Sequence, residues 1–298
     1  DKEIKQITDM GIKIHCRHAV ETQEDLNQLS KNFDAVVLAM GTLKPNKIDR
    51  NFSTCNDVED GLDFLLRTNE YKSKIVGKNV VIIGGGYTAM DCSRVALRLG
   101  AKTVKTFYRR DIGDLVILPG ELEELENEKG KMLFNARPLN LLMKNSSLMG
   151  LELIKTKLNK KGKLVDIHKS KFSIKTDHII LAIGQKQNFN SINKIKKYKN
   201  KINQSISNFK FEKNIFTAGD YALGATTLID AIAHAKNSAK VIDKYLMKRI
   251  IHKNVITVKN VKTTNRNLQM NYIPMNKMPT LKFNARNNNN EVEIGYKK

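Results

Sequence analysis

Residues 79–91 read NVVIIGGGYTAMD, an apolar run that ends in three glycines and continues into a helical pattern. The helical pattern closes at Gly100, and a second strand-like run, TVKTFYR, follows at 103–109. A strand, a tight turn, a helix and a second strand in this order predict a βαβ unit. The chain is therefore predicted to contain a parallel sheet with helices packed against it.

The glycine turn fits the spacing GxGxxA, with Gly84, Gly86 and Ala89 at the three small positions. Gly84 permits the tight turn out of the strand, and Gly86 lets a pyrophosphate approach the backbone. Ala89 allows close packing of helix on strand, and the free N–H groups of the helix N-terminus attract phosphate. This spacing alone is a weak signal, but the complete strand, turn, helix and strand make a dinucleotide site the favoured interpretation.

Two arginines follow the second strand, at the place where the side chains separate NAD sites from NADP sites. An NAD site usually has Asp or Glu there, which accepts hydrogen bonds from the ribose hydroxyl. This chain has Arg109 and Arg110, with Asp111 only after them. Two guanidiniums can present paired donors to a 2′-phosphate, so the pattern favours NADP. The alternative is that both arginines are solvated side chains on a basic surface.

A second turn of chemical interest lies at 217–227, TAGDYALGATT. It places Asp220 at the end of a strand, ahead of a helix that starts near Thr226. An aspartate at this point can accept hydrogen bonds from the ribityl hydroxyls of a flavin, and the helix N-terminus can stabilise the charge of the reduced ring. Ala-Gly-Asp is also a common turn, so these residues alone leave a flavin site and an ordinary turn both open.

The rest of the chain alternates helix-like and strand-like segments, which is typical of an α/β fold. Strand-like runs are GIKIHC at 11–16, DAVVLAMG at 34–41 and HIILAIG at 178–184, with hairpin-like spacing between 132 and 170. VVLAMG and IILAIG end alike, so we expect two related domains, each returning its chain through a strand that stops at glycine. The polar tail after Lys248 is expected to lie across a partner surface or to be disordered.

The charge of the chain raises the question of a polyanionic partner. The formal net charge is +22, from 52 Lys and Arg against 30 Asp and Glu. However, the lysines are spread through stretches rich in Asn and Ile, as at 193–214, and only 6% of the residues are aromatic. No recognition motif accompanies the charge, so we interpret it as compositional drift and expect no specific nucleic-acid partner.

The cysteines and the apolar runs exclude further classes of protein. Cys16, Cys55 and Cys92 are far apart and form no CxxC pair, so they predict no dithiol, no iron-sulfur ligand set and no disulfide framework. No apolar run reaches the roughly 18 residues that span a bilayer, and no signal peptide is present. We therefore expect a soluble cytoplasmic protein with no membrane contact and no metal site.

Two long segments resemble a known flavoprotein family. GGGYTAMDCSRVALRLGAKTVKTFYRR and IFTAGDYALGATTLIDAIAHAKNSAKVIDKYL are similar to the small (beta) subunit of NADPH-dependent glutamate synthase. The same module occurs as the electron-entry domain of dihydropyrimidine dehydrogenase. DAVVLAMGT, GLDFLL, HIILAIGQ and the tail segment NNNNEVEIGY also have counterparts in order, so the resemblance covers nearly the whole chain.

The resemblance implies two Rossmann-like dinucleotide-binding domains. An NADPH-binding domain at 75–184 would be inserted into an FAD-binding domain built from 1–74 and 185–247, with 248–298 as a C-terminal tail. Hydride would pass from NADPH to FAD. Electrons would leave through iron-sulfur clusters toward the glutamate synthase large subunit or another electron-accepting protein.

The resemblance also assigns residues to the cofactors, without a catalytic side chain. The NADPH pyrophosphate would be held by Gly84, Gly85, Gly86, Thr88 and Ala89, and its 2′-phosphate by Arg109 and Arg110. FAD would be faced by Gly219, Asp220, Thr226 and Thr227. Gly41 and Gly184 would end the strands that connect the two domains.

The chain departs from this family in three respects. Tyr87 stands at the mouth of the glycine turn, where the family usually has Asn. The family's FAD pyrophosphate fingerprint and its cysteine ligands for iron-sulfur clusters would both precede Asp1, and neither occurs in these residues. We therefore expect an incomplete FAD domain with an exposed sheet edge, weak or moderate NADPH binding and poor FAD binding. Two alternatives stay open: a related NADPH:acceptor oxidoreductase with another electron acceptor, and a non-catalytic remnant that only binds dinucleotide.

Overall fold

The computed structural model describes residues 2–70, 77–118, 120–187, 210–212, 214–248, 279–282 and 285–286. The chain divides into two compact units. The first unit comprises Asp1–Lys44 and Lys186–Lys253, and the second comprises Pro45–Gln185 and Asn254–Lys298. The second unit is therefore inserted in the sequence of the first, and the last segment of the chain belongs to the second unit.

The described helices are α1 (Lys2–Asp9), α2 (Gln23–Asn32), α3 (Arg50–Thr54), α4 (Gly61–Glu70), α5 (Tyr87–Arg98), α6 (Glu121–Asn127), α7 (Asp220–Leu223) and α8 (Leu228–Met247). The described strands are β1 (Val36–Leu38), β2 (Lys44–Pro45), β3 (Val58–Asp60), β4 (Asn79–Ile83), β5 (Thr103–Phe107), β6 (Lys131–Leu133), β7 (Ala136–Lys144), β8 (Ser147–Leu158), β9 (Leu164–Lys175), β10 (His178–Leu181), β11 (Gln185–Lys186), β12 (Lys210–Glu212) and β13 (Ile215–Thr217). A 3₁₀ turn spans Ile112–Asp114.

The first unit contains a three-stranded sheet with helices α1, α2, α7 and α8. Strand β13 lies between β1, to which it is parallel, and β12, to which it is antiparallel. Helix α2 starts at a capping box, because the Thr22 hydroxyl accepts from the Asp25 N–H and the Asp25 carboxylate accepts from the Thr22 N–H. The core of this unit is formed by Leu26, Leu38, Ile215 and Tyr221.

The second unit is built on a five-stranded parallel sheet with the order β3–β10–β4–β5–β6. Residues 80–83 of the central strand β4 are all at most 5% exposed. A strand buried on both faces of a parallel sheet reads as a continuous apolar run, which explains why VVII carries no alternation. The α/β fold class and the parallel βαβ unit predicted from the glycine turn are confirmed.

Different elements cover the two faces of this sheet. On one face, α4, α5 and α6 pack in a cluster that contains Phe64, Ile82, Met90, Ala96, Leu125 and Ile180. On the other face, the antiparallel sheet β7–β8–β9 packs in a cluster that contains Phe52, Val81, Phe107, Leu151, Leu153 and Ile179. The hairpin-like spacing expected between 132 and 170 thus corresponds mainly to three strands of 9, 12 and 12 residues.

One predicted strand is wrong. GIKIHC at 11–16 forms turns and irregular backbone, and no described strand pairs with it. The side chains of Ile12 and Ile14 are 52% and 56% exposed. A strand needs a neighbour for its backbone hydrogen bonds, and the apolar pattern of the segment could not show that this neighbour is missing from the described sheet.

The second unit is larger than the domain predicted at 75–184. It begins at Pro45 because β3 joins the parallel sheet beside β10, and α4 packs against α5. The residues of the predicted tail mostly lie outside the described part of the chain. In the described part, Arg286 binds Glu124 and Glu128 of the second unit at 2.8 and 3.0 Å.

Candidate functional site

The carboxyl ends of four parallel strands lie level at one edge of the sheet in the second unit. Ile83 at the end of β4 pairs with Phe107 of β5 on one side and with Leu181 of β10 on the other. Leu181 in turn pairs with Asp60 of β3. The residues that follow these strands emerge side by side at this edge, which we call the carboxyl edge. Open α/β sheets bind their ligands at such an edge.

Gly84 opens the glycine turn at the carboxyl edge. Its φ is +151°, a value that side chains with a Cβ rarely adopt, and its N–H donates to the carbonyl of Phe107 at 3.0 Å. An added Cβ would lie 2.8 Å from the carbonyl carbon of Ala182 and closer still to its oxygen. The close approach of two neighbouring strand ends therefore requires glycine at this position.

The next two glycines face different surroundings. An added Cβ at Gly85 would lie 2.6 Å from Cγ of the Tyr108 ring, so the ring leaves no room for a side chain. At Gly86, φ is −106° and nothing lies within 4 Å of an added Cβ. The fold of the chain does not require glycine at 86. The open space in front of this backbone is what a close-approaching phosphate needs.

Helix α5 starts at this open space. Gly86 is its N-cap, no side chain caps it, and the Gly86 carbonyl accepts from the N–H groups of Ala89 and Met90 at 3.0 and 3.2 Å. The first N–H groups of a helix have no partner within the helix, and the helix dipole adds positive potential there. The turn therefore offers an anion both donors and space.

Two side chains border the turn at the start of α5. Tyr87 is 37% exposed. The Thr88 hydroxyl accepts a hydrogen bond from the side-chain amide of Gln185 at 3.3 Å, and a hydroxyl that accepts one bond can still donate another. Gln185 was not among the predicted site residues, although it follows directly after the AIG sequence that ends at Gly184.

Ala89 lies where helix α5 packs on the sheet and is fully buried. One turn later, the Ser93 hydroxyl lies 2.6 Å from the Ala89 carbonyl and 2.7 Å from the hydroxyl of Thr106 on β5. The short contact between Ser93 and Thr106 shows the close packing of helix on strand that a small residue at 89 permits.

Arg109 and Arg110 leave the carboxyl edge directly after β5, and both are exposed. Their backbone is fixed, since the carbonyl of Arg109 accepts from the Thr156 hydroxyl at 2.7 Å and that of Arg110 accepts from the Asn135 N–H at 3.1 Å. Within the described ranges, no carboxylate pairs with either guanidinium. Two guanidiniums at the strand end next to the glycine turn thus have free donors.

Asp111 is the residue that could have indicated NAD. Its carboxylate accepts the N–H of Ile112 at 2.7 Å and so caps the 3₁₀ turn. The Asp111 carboxylate therefore forms its hydrogen bond within the loop, while Arg109 and Arg110 lie at the end of strand β5.

Gly184 ends the run after β10 with φ +93°. Its carbonyl accepts the N–H of Asn46 at 3.0 Å, and strand β11, which begins at Gln185, pairs with β2. Gly184 therefore lies where the chain leaves the second unit. Among the described residues, no hydrogen bond connects Gly184 to the glycine turn.

A second candidate site lies within the first unit. A cavity of about 370 Å³ is lined by Ala39, Gly41, Ala218, Gly219, Asp220, Ala231, Ile232 and Ala235. Two of the residues predicted to face FAD, Gly219 and Asp220, thus line one cavity together with Gly41, which was predicted to end a strand that connects the two domains. Gly41 and Gly219 have φ values of +65° and +61°, so both turns that border the cavity use the left-handed region.

Thr226 and Thr227 do not line this cavity. The Thr226 hydroxyl donates to the Asp220 carboxylate at 2.6 Å and so closes the loop between α7 and α8. The Thr227 hydroxyl caps α8 by accepting the Asp230 N–H at 3.2 Å. The structure thus gives both threonines partners in the protein, and their predicted contact with FAD stays a prediction.

His234 was missed by sequence analysis. It is 7% exposed, and its Nδ1 accepts the backbone N–H of Gly219 at 3.1 Å. Burial lowers the pKa of His234, so the ring stays neutral and keeps its acceptor nitrogen. Helix α8 carries several polar residues, and its two buried residues are His234 and Ser238, so the sequence alone did not single out His234.

We expect His234→Gln to reduce the sensitivity of the protein to acid. Because the folded-state pKa is lowered, the unfolded chain takes up the proton first, and stability is lost as the pH falls through the ordinary histidine range. Protonation of Nδ1 would also remove the acceptor for Gly219, a hydrogen bond worth about 1 kcal/mol. Urea unfolding at pH 7.5 and pH 5.5 measures this. The prediction would be contradicted if the original protein and the variant lost the same unfolding free energy between pH 7.5 and pH 5.5.

The three cysteines are free and scattered. Cys92 is fully buried, burial raises the pKa of its thiol, and its Sγ lies 3.6 Å from the Gly61 carbonyl. Cys16 is exposed and Cys55 is partly buried. Cys92 therefore serves as a small core residue, and these thiols do not form a redox-active pair.

Metal-binding clusters and membrane-spanning helices are both absent from the described part of the chain. No three His, Cys, Asp or Glu side chains there are grouped so that they could hold a metal ion. None of the described helices combines the length and the apolar character that a bilayer crossing requires.

Curated proteins are similar to this chain over most of its length. A beta subunit of NADP(+)-dependent formate dehydrogenase from Moorella thermoacetica is 27% identical over 258 residues, which is 82% of this chain and 36% of the relative. The small chain of glutamate synthase [NADPH] from Escherichia coli is 28% identical over 267 residues, which is 80% of this chain and 56% of the relative. The chain thus spans between about a third and about half of the curated relatives it matches.

A solved structure supports the same fold. FprA from Mycobacterium tuberculosis in complex with NADPH superimposes with a TM-score of 0.57, at 14% identity, over 74% of this chain and 66% of that one. Its identity is low, so the likeness shows the fold. The pyridine nucleotide-disulphide oxidoreductase family matches residues 1–241. Since this match covers most of the chain, the protein belongs to the pyridine nucleotide-disulphide oxidoreductase family of NAD(P)-dependent flavoproteins.

Proposed function

We propose that this chain is part of an NADPH-dependent flavoprotein oxidoreductase that passes a hydride from NADPH to FAD and electrons on to a partner protein. The second unit binds NADPH at the carboxyl edge. The first unit contributes to FAD binding. The whole reaction belongs to the complete enzyme, because this chain spans only part of the length of its relatives.

The observation that carries the proposal is the open backbone at Gly86 beside two free guanidiniums. The pyrophosphate would lie in the open space at Gly86, against the N–H groups at the start of α5. Arg109 and Arg110 would hold the 2′-phosphate, since both side chains are exposed and no carboxylate of the described residues pairs with them. The chemistry of the donors therefore fits the phosphates of NADPH.

The chain's own residues bind and orient the dinucleotide. Thr88, fixed by Gln185, would donate its hydroxyl to a phosphate oxygen. Tyr87 would border the nicotinamide half from the start of the helix. NADPH, when bound, supplies the hydride, and FAD accepts it.

The cavity in the first unit supports the flavin part of the proposal. Asp220 would accept from ribityl hydroxyls, with Gly41 and Gly219 giving the close backbone approach. Helix α8, which begins after Thr227, would place its N-terminal donors near the reduced ring. His234 acts through Gly219, whose N–H it holds, and so keeps this turn in shape.

The electron acceptor separates two candidate functions. Glutamate synthase small chains from Escherichia coli and Azospirillum brasilense are 28% and 26% identical to this chain, and an NADPH-Fe(3+) oxidoreductase beta subunit from Geobacter sulfurreducens is 26% identical. We favour the glutamate synthase type and its large subunit as partner, with iron-sulfur clusters outside this chain, because both long motifs resemble that branch. Because the glutamate synthase and Fe(3+) oxidoreductase relatives are about equally identical to this chain, another electron-accepting subunit is the second candidate partner.

Co-purification of the native complex tests these candidates. A large amidotransferase subunit that comes with the chain and makes glutamate from 2-oxoglutarate and glutamine supports the first. A different redox subunit supports the second. NADPH binding without reduction of an artificial one-electron acceptor by that complex would contradict both and leave a dinucleotide-binding remnant. We place the complex in the cytoplasm, where free thiols such as these three persist.

We expect the double variant Arg109→Ala, Arg110→Ala to lose its preference for NADPH. Removing two charge-assisted contacts to the 2′-phosphate should raise the dissociation constant for NADPH roughly thirtyfold, about 2 kcal/mol, and leave that for NADH unchanged. Isothermal titration with both dinucleotides measures this. Lys102→Ala, which removes an exposed cation at the opposite end of β5, serves as the control. Equal weakening of NADPH and NADH would contradict the assignment.

A further inference from the structure

Strands β8 and β9 form a hairpin whose outer half is strongly basic. Residues 155–175, here called the lysine hairpin, contain eight lysines and a single carboxylate, that of Asp166. All eight lysines are exposed. The Asp166 carboxylate is itself held by Arg137, whose guanidinium donates to its two oxygens at 2.7 and 2.6 Å. The lysine hairpin therefore carries a concentrated positive charge that its one carboxylate does not neutralise.

Thr156 joins the lysine hairpin to the end of β5. Its hydroxyl donates to the Arg109 carbonyl at 2.7 Å, and its N–H donates to the Asn135 carbonyl at 2.8 Å. The Asn135 N–H in turn donates to the Arg110 carbonyl at 3.1 Å. Thr156 is only 2% exposed. The hairpin is therefore fixed against the backbone of the two arginines that would hold the 2′-phosphate.

Lys155 and Lys157 flank this point of attachment. Neighbouring side chains of a strand point to opposite faces, and the exposed, buried, exposed order of residues 155–157 follows this rule. Both lysines thus stand in solvent one residue away from the contact with Arg109. Among the described residues, no carboxylate forms an ion pair with either of them. Their charges are therefore available to a ligand that approaches this end of the site.

The segment that carries the two arginines has no net charge of its own. Residues 109–114 contain two arginines and two aspartates, Asp111 and Asp114. NADPH is a strong anion, because its 2′-phosphate adds roughly two negative charges to the two of the pyrophosphate. From residues 109–114 together, an approaching NADPH would meet no surplus of positive charge. Lys155 and Lys157 supply that surplus beside the same strand end.

We propose that Lys155 and Lys157 are steering residues that raise the association rate of NADPH above that of NADH. The inference rests on the proposed NADPH site and adds a step of selection before contact. A positive surface beside a binding site speeds the arrival of an anionic ligand, and the gain grows with the charge of the ligand. NADPH carries about twice the charge of NADH, so it gains more. The arginines select by contact, whereas the lysines select by the rate of encounter.

Screening by salt limits this effect to the lysines nearest the arginines. Interactions between exposed charges are largely screened beyond about 8 Å at physiological salt. Lys160 and Lys161 lie in the turn after β8. Because a strand advances by about 3.4 Å per residue, this turn is roughly 10 Å or more from Thr156. The hairpin thus contains two pairs of lysines with equal charge at different distances from the site.

The test is the double variant Lys155→Gln, Lys157→Gln, with stopped-flow mixing of the 298-residue chain with NADPH and with NADH. At about 0.15 M salt, the association rate constant should fall about threefold for NADPH and less than about twofold for NADH. The dissociation rate constants should not change, because neither side chain contacts the ligand. The melting temperature should also stay unchanged, since both side chains are exposed.

Lys160→Gln, Lys161→Gln is the matched control, because it removes the same charge from the tip of the same hairpin. At about 0.15 M salt, it should leave both association rate constants nearly unchanged. At about 1 M salt, where the screening length falls to about 3 Å, the original chain and both double variants should bind NADPH at the same rate.

The outcomes separate the steering role from the NADPH site itself. Equal slowing by the two double variants would overturn the local role of Lys155 and Lys157, because the total charge would then be what acts. Unchanged association of NADPH, or faster dissociation alone, would overturn steering even where the arginine double variant loses its preference for NADPH. A chain that binds neither dinucleotide before any substitution would overturn the NADPH site, and the inference with it.

Discussion

Replacing Gly86 with alanine is expected to weaken NADPH binding roughly a hundredfold, about 2.7 kcal/mol, while the protein melts at nearly its original temperature. The backbone at Gly86 has φ −106°, and nothing lies within 4 Å of an added Cβ, so the folded chain accepts the methyl group. The same methyl would occupy the space that the pyrophosphate needs. Thermal melting and titration with NADPH measure the two effects separately.

Gly84→Ala is the matched comparison, two residues earlier in the same turn. Here the added Cβ would collide with the Ala182 carbonyl at a φ of +151°, so we expect a loss of about 3 kcal/mol of unfolding free energy along with the loss of binding. The two glycines thus have different roles, one in the fold and one in the ligand site. Two variants that melt at the same temperature would contradict this distinction.

Glu128→Ala is expected to cost about 3–5 kcal/mol of stability, because it removes the centre of a buried ion cluster. Glu128 has no exposed surface and binds Arg94 at 3.0 Å, Arg98 at 2.7 Å and Arg286 at 3.0 Å. These guanidinium side chains are 17%, 14% and 5% exposed. Arg94 and Arg286 also contact Glu124, whereas Arg98 would stay largely buried with no carboxylate partner among the described residues. Urea unfolding measures the loss.

Glu126→Ala, in helix α6 just before Glu128, is the control, since Glu126 is exposed and should change stability by less than about 0.5 kcal/mol. The dependence of the unfolding free energy on pH gives a second readout. Burial alone would raise the pKa of Glu128, but hydrogen bonds and charge from Arg98 and Arg94 outweigh it, and the pKa is lowered. The stabilisation is therefore present above the ordinary glutamate range and is lost at acid pH, where variant and original should converge. A gap that stays constant with pH would contradict the ion cluster.

Local patterns predicted the glycine turn and its surroundings well. Strand β4, the turn, α5 and β5 follow one another within about thirty residues, and each carries its own signal in apolar runs, glycines or helical spacing. The distinction between Gly84 and Gly86 also follows from the motif. Contacts such as these depend mainly on neighbours in sequence, so one sequence is enough to find them.

The remaining features depend on distant contacts. Gly219 is held by His234, fifteen residues away, and Glu128 is bound by Arg286, 158 residues away. No rule of sequence spacing connects such pairs, because their residues meet only through the packing of sheets and helices in the fold. The same reason explains the failure at 11–16, where an apolar run has no neighbouring strand, and the early start of the second unit at Pro45.

The second unit is proposed to be an NADPH site with selectivity for the 2′-phosphate. The most direct test is to titrate the unsubstituted 298-residue chain with NADPH and with NADH. Binding is monitored by the fluorescence emission of the bound nicotinamide. We expect saturable binding of both, with a dissociation constant for NADPH lower by at least about tenfold, or 1.4 kcal/mol. Equal dissociation constants, tighter binding of NADH, or no saturable binding would contradict the account.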